Sequence, residues 1–546
     1  MTTDTFDIIG DVCPTRPSGL GIAIAGDTWW PGQRETIDQI VAAFWMHKFV
    51  LASIPTGGGK TIVATAIQRL LGGTALYLAH TIQLQRQAQD TMPWAVLATG
   101  RDNYPCGRSE VDPLMALFGS MTAQDCEAYG GCVKKDERSC AYYQMLDKAA
   151  YSPQVIMNYA YALRILQAPI VDKAPNPFRR TFLIADEGHL AEDAIVEATS
   201  IGLWRGSCDD AGLPPWPQSH DPYMWIAWAT DAEGQAREWH AAAQDALAEA
   251  IDNPTALKRA YSWERRARKL RETINELRRL DPTDWAVSPG VKETKLRPIW
   301  AWSVANNRLW RYFDRVLIMS ATLGDPKTLM TKLAIPFDQA IHIDVPSTFP
   351  IQNRPIFYFP AAKVNRNTDS DEWALIASAI QHIANMPRLA NEKAIVHTAS
   401  YKVVNALRPH LQHDGRFVFQ TTGNDKEMLI DLLKTSEEPV IVVSPSLGTG
   451  VDIRALRWQA IVKVPFGDLG DPITRLRRDY TRDDDRYFGK RNYDEEAMNN
   501  VVQAAGRVVR APDDWGVTYV LDANFWGLYK RAYSPLFFRE AIKWLK

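Results

Sequence analysis

At 546 residues, 46% hydrophobic and 23% charged, the chain is too long for one core and suggests two to four domains of ordinary soluble composition. No apolar run reaches the ~18 residues of a membrane span, and the start MTTDTFDIIG lacks a basic segment followed by an apolar one, which argues against a secretory signal. With 62 basic and 64 acidic residues the net charge is −2, which neither supports nor excludes a nucleic-acid partner, because a local basic channel can hide in a neutral total.

Residues 47–66 read HKFVLASIPTGGGKTIVATA. The apolar run 49–54 predicts a buried strand, followed by a turn from Thr56 and then a helix. Gly57, Gly58 and Gly59 let backbone N–H groups approach a phosphate chain with no Cβ in the way. Lys60 then suits the β and γ phosphates, and the Thr61 hydroxyl suits Mg²⁺. A glycine-rich loop that merely precedes a lysine is the bland alternative. The order strand, loop, helix argues against it.

Four of the six cysteines follow within residues 101–140: Cys106, Cys126, Cys132 and Cys140. They suit disulfides, a zinc ion, an iron–sulfur cluster, or no common task. Without a leader the default compartment is a reducing cytoplasm, which argues against structural disulfides. The absence of a C-x₂-C pair weakens a zinc finger. Cys13 and Cys208 lie far off and read as free thiols.

TFLIADEGHL places Asp186 and Glu187 directly after the apolar run 182–185. Asp186 would hold Mg²⁺ through water and Glu187 would polarise the attacking water. An acidic strand end is common in isolation; the phosphate loop upstream gives this one meaning. Next, between GLPPWPQSHDP and DPTDWAVSPG, two helical stretches are expected. Trp239, Ala243, Ala246 and Ala250 mark the first, and Ala267, Leu270, Ile274 and Leu277 the second. Asp252-Asn253-Pro254 is the turn between them. Arg265, Arg266, Arg268 and Lys269 on the second suit DNA phosphates or a partner, and equally a solvated face.

VLIMSATL predicts a strand ending at Ser320-Ala321-Thr322. After about residue 345, RPIFYF, KAIVHT, RFVFQT, PVIVVSP, AIVKVPF and VTYVLD alternate with helical stretches, implying a parallel sheet with helices on both faces. In VVQAAGRVVRAP the spacing puts Gln503, Arg507 and Arg510 on one helix face. The two arginines would reach across a cleft to the γ-phosphate. Alone, such a helix reads as a solvated basic face.

In this order the motifs resemble the XPD/DinG family of iron–sulfur superfamily 2 DNA helicases, over roughly residues 30–525. WWPGQRETIDQIVAAF resembles the family's opening segment, with Gln33 where adenine is read. ALYLAHTIQLQRQ resembles the motif that touches the DNA strand. LATGRDNYPC resembles G-R-x-N-Y-x-C, which introduces the first cluster cysteine, and VIMNYAYAL resembles the return from the cluster domain. DEGH is the D-E-x-H form of the acidic strand end, and Ser320-Ala321-Thr322 is the tripeptide that links ATP state to nucleic acid. KLRPIW also fits, as does SLGTGVDI, which carries Asp452 into the nucleotide site.

The resemblance implies an α/β fold with two RecA-like parallel-sheet motor domains. Residues 1–97, 151–200 and 299–344 would form the first; 98–150 would be an iron–sulfur insertion and 201–298 a helical arch. Residues 345–546 would form the second motor. It implies ATP, Mg²⁺ and a [4Fe–4S] cluster on Cys106, Cys126, Cys132 and Cys140. The expected partners are single-stranded DNA and forked or tailed duplex, with 5′→3′ movement. A monomer without membrane contact is expected in the cytoplasm, on the nucleoid if the source is bacterial or phage. About fifty residues precede the phosphate loop, too few for the N-terminal exonuclease of some relatives. Two alternatives stand beside it: a superfamily 2 RNA helicase or remodeller with a zinc-bearing insertion, and a non-unwinding ATP-dependent DNA-binding recruiter.

Overall fold

The structure is a computed structural model, and it describes residues 12–55, 57–105, 140–166, 178–250, 253–421, 426–448, 456–509 and 514–544. Thr56, Cys106, Cys126, Cys132, Asp452 and Arg510 lie outside the described residues, as does Asp252 of the expected turn.

Seven parallel strands form the first sheet, in the order Ala340–Asp344, Phe49–Ser53, Arg315–Ser320, Phe182–Asp186, Ala75–Ala79, Gln154–Asn158, Val96–Leu97. Its central strands are apolar throughout because both faces are covered. Phe49, Leu51, Leu183, Val316 and Ile318 enter one core. The residues between them, Val50, Ala52, Ile184, Leu317 and Met319, enter the other. This is the two-residue period of a strand read on two sides. Arg315–Ser320 lies between Phe49–Ser53 and Phe182–Asp186, so the phosphate loop, Ser320 and the acidic pair all emerge at one carboxyl edge, where open α/β sheets hold ligands.

A second seven-stranded parallel sheet has the order Phe417–Phe419, Ile441–Ser444, Lys393–His397, Leu456–Ile461, Val517–Asp522, Ile356–Ala362, Ile542–Trp544. The two parallel sheets are the α/β architecture expected. Ile542–Trp544 was not foreseen; it adds an edge strand beside Ile356–Ala362.

The helical hairpin is Pro222–Glu249 against Pro254–Arg278, with the Asn253 side chain capping the second helix. Pro at the first helical position lacks the N–H that would go unpaired there. Leu270, Ile274 and Leu277 pack with Trp225, Trp228 and Ala232. Beneath the hairpin sits an antiparallel sheet, Ile201–Trp204, Glu293–Pro298, Trp285–Ser288, that sequence reading did not anticipate.

One expectation is corrected. The helix carrying Gln503 runs Phe488–Ala505 and stops at Gly506, so Arg507 lies beyond its end and does not share the face of Gln503. Glycine loses more conformational freedom than other residues on entering a helix, and it is a natural place to end one.

Candidate nucleotide site and nucleic-acid groove

Gly57 and Gly59 adopt φ of 80° and 70°, the left-handed region that side chains avoid. A Cβ on Gly59 would press on the Gln33 amide and displace it from its place against the loop. The helix Lys60–Leu71 starts directly after it, which aims helix N–H groups at the cleft. Gln33 is buried against this loop: its amide donates to the Gly58 carbonyl at 3.1 Å, and its oxygen accepts from Trp30 N–H at 2.9 Å.

Lys60 Nζ stands 3.4 Å from Glu187 Oε1. The other Glu187 oxygen accepts from the Ser320 hydroxyl at 3.3 Å. Ser320 Oγ lies 2.7 Å from His189 Nδ1 and accepts Thr322 N–H at 3.1 Å. With the Ser320 hydroxyl donating to Glu187, His189 donates from Nδ1 to Ser320 Oγ, and its Nε2 accepts from the Gln503 amide. That amide also donates to Thr322 Oγ1 at 3.2 Å. A directed chain of hydrogen bonds thus runs from the second motor domain to a carboxylate of the first. Burial pushes the His189 imidazole down to about 4, so the neutral ring this chain needs is the one present near neutrality. Burial raises the Glu187 carboxyl, but the charge of Lys60 and the hydrogen bonds from Lys60 and Ser320 hold it below the ordinary value. Glu187 also has φ of 48°, an uncommon conformation for a side-chain-bearing residue.

Burial and then repulsion from Glu187 push the neighbouring Asp186 up to about 6. Its two oxygens accept from Glu187 N–H at 2.9 Å and from the Tyr77 hydroxyl at 2.7 Å. Thr61, in the first turn of the helix, interacts with the same phenol. The donor set is oxygen only, carboxylate and hydroxyl beside a glycine cradle, and so fits a nucleotide-bound Mg²⁺.

Arg507 donates from Nε to the Gly448 carbonyl at 3.2 Å, against the loop that leads toward Asp452. The structure therefore brings together Gln33, Gly57, Gly58, Gly59, Lys60, Thr61, Asp186, Glu187 and Gln503, and sets Arg507 against Gly448. Sequence reading missed Tyr77 and the part played by His189. Tyr77 left one signal, a single hydroxyl in the otherwise aliphatic strand ALYLA.

Cys140 is buried at the start of the helix Ala141–Tyr151. The Tyr104 ring, two residues before Cys106, meets Tyr142, two residues after Cys140, at 5.6 Å, so the ends of the cysteine segment close on each other. Among the described residues no group of three or more His, Cys, Asp or Glu has metal-holding geometry. No helix among them is long and apolar enough to cross a membrane.

Beside this root a groove of about 1270 Å³ opens between the first motor domain and the hairpin. Arg265, Arg266, Arg268 and Lys269 line it from the hairpin, and Arg101 and Arg164 from the motor. Trp204 lies exposed on its wall. Glu272 and Glu276 also reach it, so its lining is mixed but predominantly basic.

A family model of a helicase C-terminal domain matches residues 383–538, and one of the type III restriction enzyme res subunit matches residues 28–201. A regulator of telomere elongation helicase 1 homolog from Drosophila ananassae is 26% identical over 246 residues, 38% of this chain and 24% of that protein. The Drosophila virilis homolog is 24% identical over 277 residues, 44% of this chain and 27% of that protein. The chain spans about a quarter of the length of these relatives. Among solved structures, one named XPD_Helicase has a TM-score of 0.62 at 14% identity, covering 94% of this chain and 99% of that one. S. tokodaii Xpd4 has a TM-score of 0.55 at 13% identity, with the same coverage of 94% and 99%.

Proposed function

We propose that the chain is a superfamily 2 helicase of the XPD/DinG family that hydrolyses ATP to move along single-stranded DNA and unwind duplex DNA, a reading supported by the matched helicase C-terminal model and the shared fold. The observation that carries this is the hydrogen-bonded chain from Gln503 through His189 and Ser320 to Glu187. It joins the phosphate-loop cleft to the second motor domain.

In this reading Thr56, Gly57, Gly58 and Gly59 cradle the phosphates and Lys60 neutralises them. Gln33 reads adenine, and Asp452 closes the site from the second domain. Thr61 and Asp186 hold Mg²⁺, which neutralises the β and γ phosphates when bound. Glu187 orients the attacking water, and its carboxylate is kept ionised for that task by the Lys60 ammonium. Arg507 and Arg510 are assigned to the leaving phosphoryl group across the cleft.

DNA phosphates would follow the basic groove under the hairpin, with Trp204 as a stacking face for bases. Movement is read as 5′→3′ on the family resemblance alone. Cys106, Cys126, Cys132 and Cys140 are assigned to a [4Fe–4S] cluster, supported by the closed ends of their segment. Thiolates in a reducing compartment suit such a cluster, which would order a small loop-rich insertion. The domain limits at residues 97, 150, 200, 298 and 344, a monomeric state and a cytoplasmic location belong to the same reading.

Glu187→Gln and Lys60→Ala should each lower DNA-stimulated ATPase turnover by about a hundredfold or more while leaving the melting curve near wild type. Wild-type turnover in either purified variant would sink the assignment. Stimulation by DNA against RNA, and strand separation on a 5′-tailed duplex, distinguish it from an RNA remodeller and from a recruiter. Iron and sulfide analysis after anaerobic purification tests the cluster, and zinc in their place would overturn it.

A further inference from the structure

Asp186 has both oxygens fixed by donors of the chain itself. Glu187 N–H holds Oδ1 at 2.9 Å and the Tyr77 hydroxyl holds Oδ2 at 2.7 Å. The backbone donor comes with any residue at position 187. The phenol does not, and it needs a specific placement.

Strand Ala75–Ala79 runs parallel to Phe182–Asp186 with Tyr77 opposite Ile184, so the long phenol extends along the neighbouring strand to reach Asp186. Its ring is fully buried in the core beneath the helix Lys60–Leu71, among Val63, Ile67 and Ile184, so packing fixes its direction. Thr61 meets the same hydroxyl from the start of that helix. The phenol thus stands beneath the phosphate-loop helix with its hydrogen bond on the end of the acidic strand.

We propose that Tyr77 is a positioning residue, whose hydroxyl fixes the Asp186 carboxylate in the orientation a nucleotide-bound magnesium ion needs. This rests on the ATPase reading above. Magnesium demands near-ideal octahedral geometry and tolerates little movement of its oxygen partners. A carboxylate held on one side only would swing about its Cβ–Cγ bond, and the ion would bind more weakly without any loss of phosphate contacts.

Tyr159 supplies the control. It too is buried near Asp186 and Glu187, yet its hydroxyl has no hydrogen-bond partner among the described residues. Removing either hydroxyl deletes one buried polar atom, but only one deletion breaks a bond to Asp186.

The experiment titrates Mg²⁺ against binding of a fluorescent N-methylanthraniloyl ATP to wild type, Tyr77→Phe and Tyr159→Phe, with a parallel series in EDTA. A hydrogen bond to a charged group is strong enough that Tyr77→Phe should raise the half-saturating Mg²⁺ about tenfold. Binding in EDTA should not change, and Tyr159→Phe should follow wild type. Coincident curves for Tyr77→Phe and wild type overturn the proposal, as does an equal shift in Tyr159→Phe. A fall in melting temperature for Tyr77→Phe with its Mg²⁺ requirement unchanged makes the hydroxyl structural and also overturns it. Wild type without Mg²⁺-dependent binding would instead bring down the ATPase reading, and this inference with it.

Discussion

Among the described residues, two of the contacts between the parallel-sheet domains are built from different chemistry. At the nucleotide side the contact is neutral and slight, with one amide of Gln503 on His189 and Thr322. On the other side it is ionic and buried. Arg477 of the second domain reaches Glu192 at 3.2 Å, Asp193 at 3.2 Å and the Ile299 carbonyl at 2.6 Å, and covers the Trp300 ring at 5.0 Å. Lys332 holds the second Glu192 oxygen at 3.0 Å. Around them Trp300 and Trp302 pack on Tyr480 and Phe488. A neutral hydrogen bond exchanges for water or ligand at small cost, whereas a buried ion pair cannot lose one partner without stranding the other. The contrast makes the ionic side the fixed part of the joint and the Gln503 side the part that opens.

Arg477→Ala is the most severe way to break this contrast. It leaves Glu192 with Lys332 alone and strips the cation from the Trp300 ring and the Ile299 carbonyl, and should cost about 2–3 kcal/mol of stability in urea unfolding. A loss under about 1 kcal/mol would mean the ionic contact is no firmer than the neutral one.

Glu495→Gln sharpens it through pH. Burial pushes this carboxyl up to about 8, and Thr328 of the first domain donates to it at 3.4 Å. In the unfolded chain the group loses its proton near the ordinary value of 4.5. Between those values the folded state binds more protons, so its contribution to stability falls as pH rises from about 4.5 to about 8. The glutamine variant should flatten the stability profile across that window. An unchanged slope would show that Glu495 is ionised in the folded protein.

Gln503→Ala should have the smallest effect on folding, within about 1 kcal/mol, because it removes only neutral hydrogen bonds. Its turnover should nevertheless fall about tenfold, since Glu187 loses the chain that orients it. Comparable losses of stability for Gln503→Ala and Arg477→Ala would erase the distinction between the two sides.

The motor sheets were legible because their strands are continuous apolar runs ended by glycine or acidic residues, as at Phe49–Ser53 and Phe182–Asp186. The hairpin was legible from the three- and four-residue spacing of Leu270, Ile274 and Leu277. The small sheet was hidden because Glu293–Pro298 buries only every second residue and reads as a polar loop. Arg477 and Glu192 lie 284 to 285 residues apart as Arg477–Asp193 and Arg477–Glu192, and no local pattern announces a pair over that distance. Arg507 was misplaced because three- and four-residue spacing predicts a shared face only while the helix continues, and Gly506 ends it.

The sheet order also bears on the birth of the molecule. Phe49–Ser53, which leads into the phosphate loop, pairs with Arg315–Ser320 on one side and Ala340–Asp344 on the other. Both partners lie beyond the hairpin in the chain. At ribosomal speeds of roughly 5–20 residues per second, the most apolar strand of the nucleotide site waits on the order of tens of seconds with two open edges. Pairing at such long range is slow to form and prone to meet the wrong partner first. The first domain thus completes its sheet only after the hairpin has been made, and until then its phosphate-loop strand stays open to mispairing.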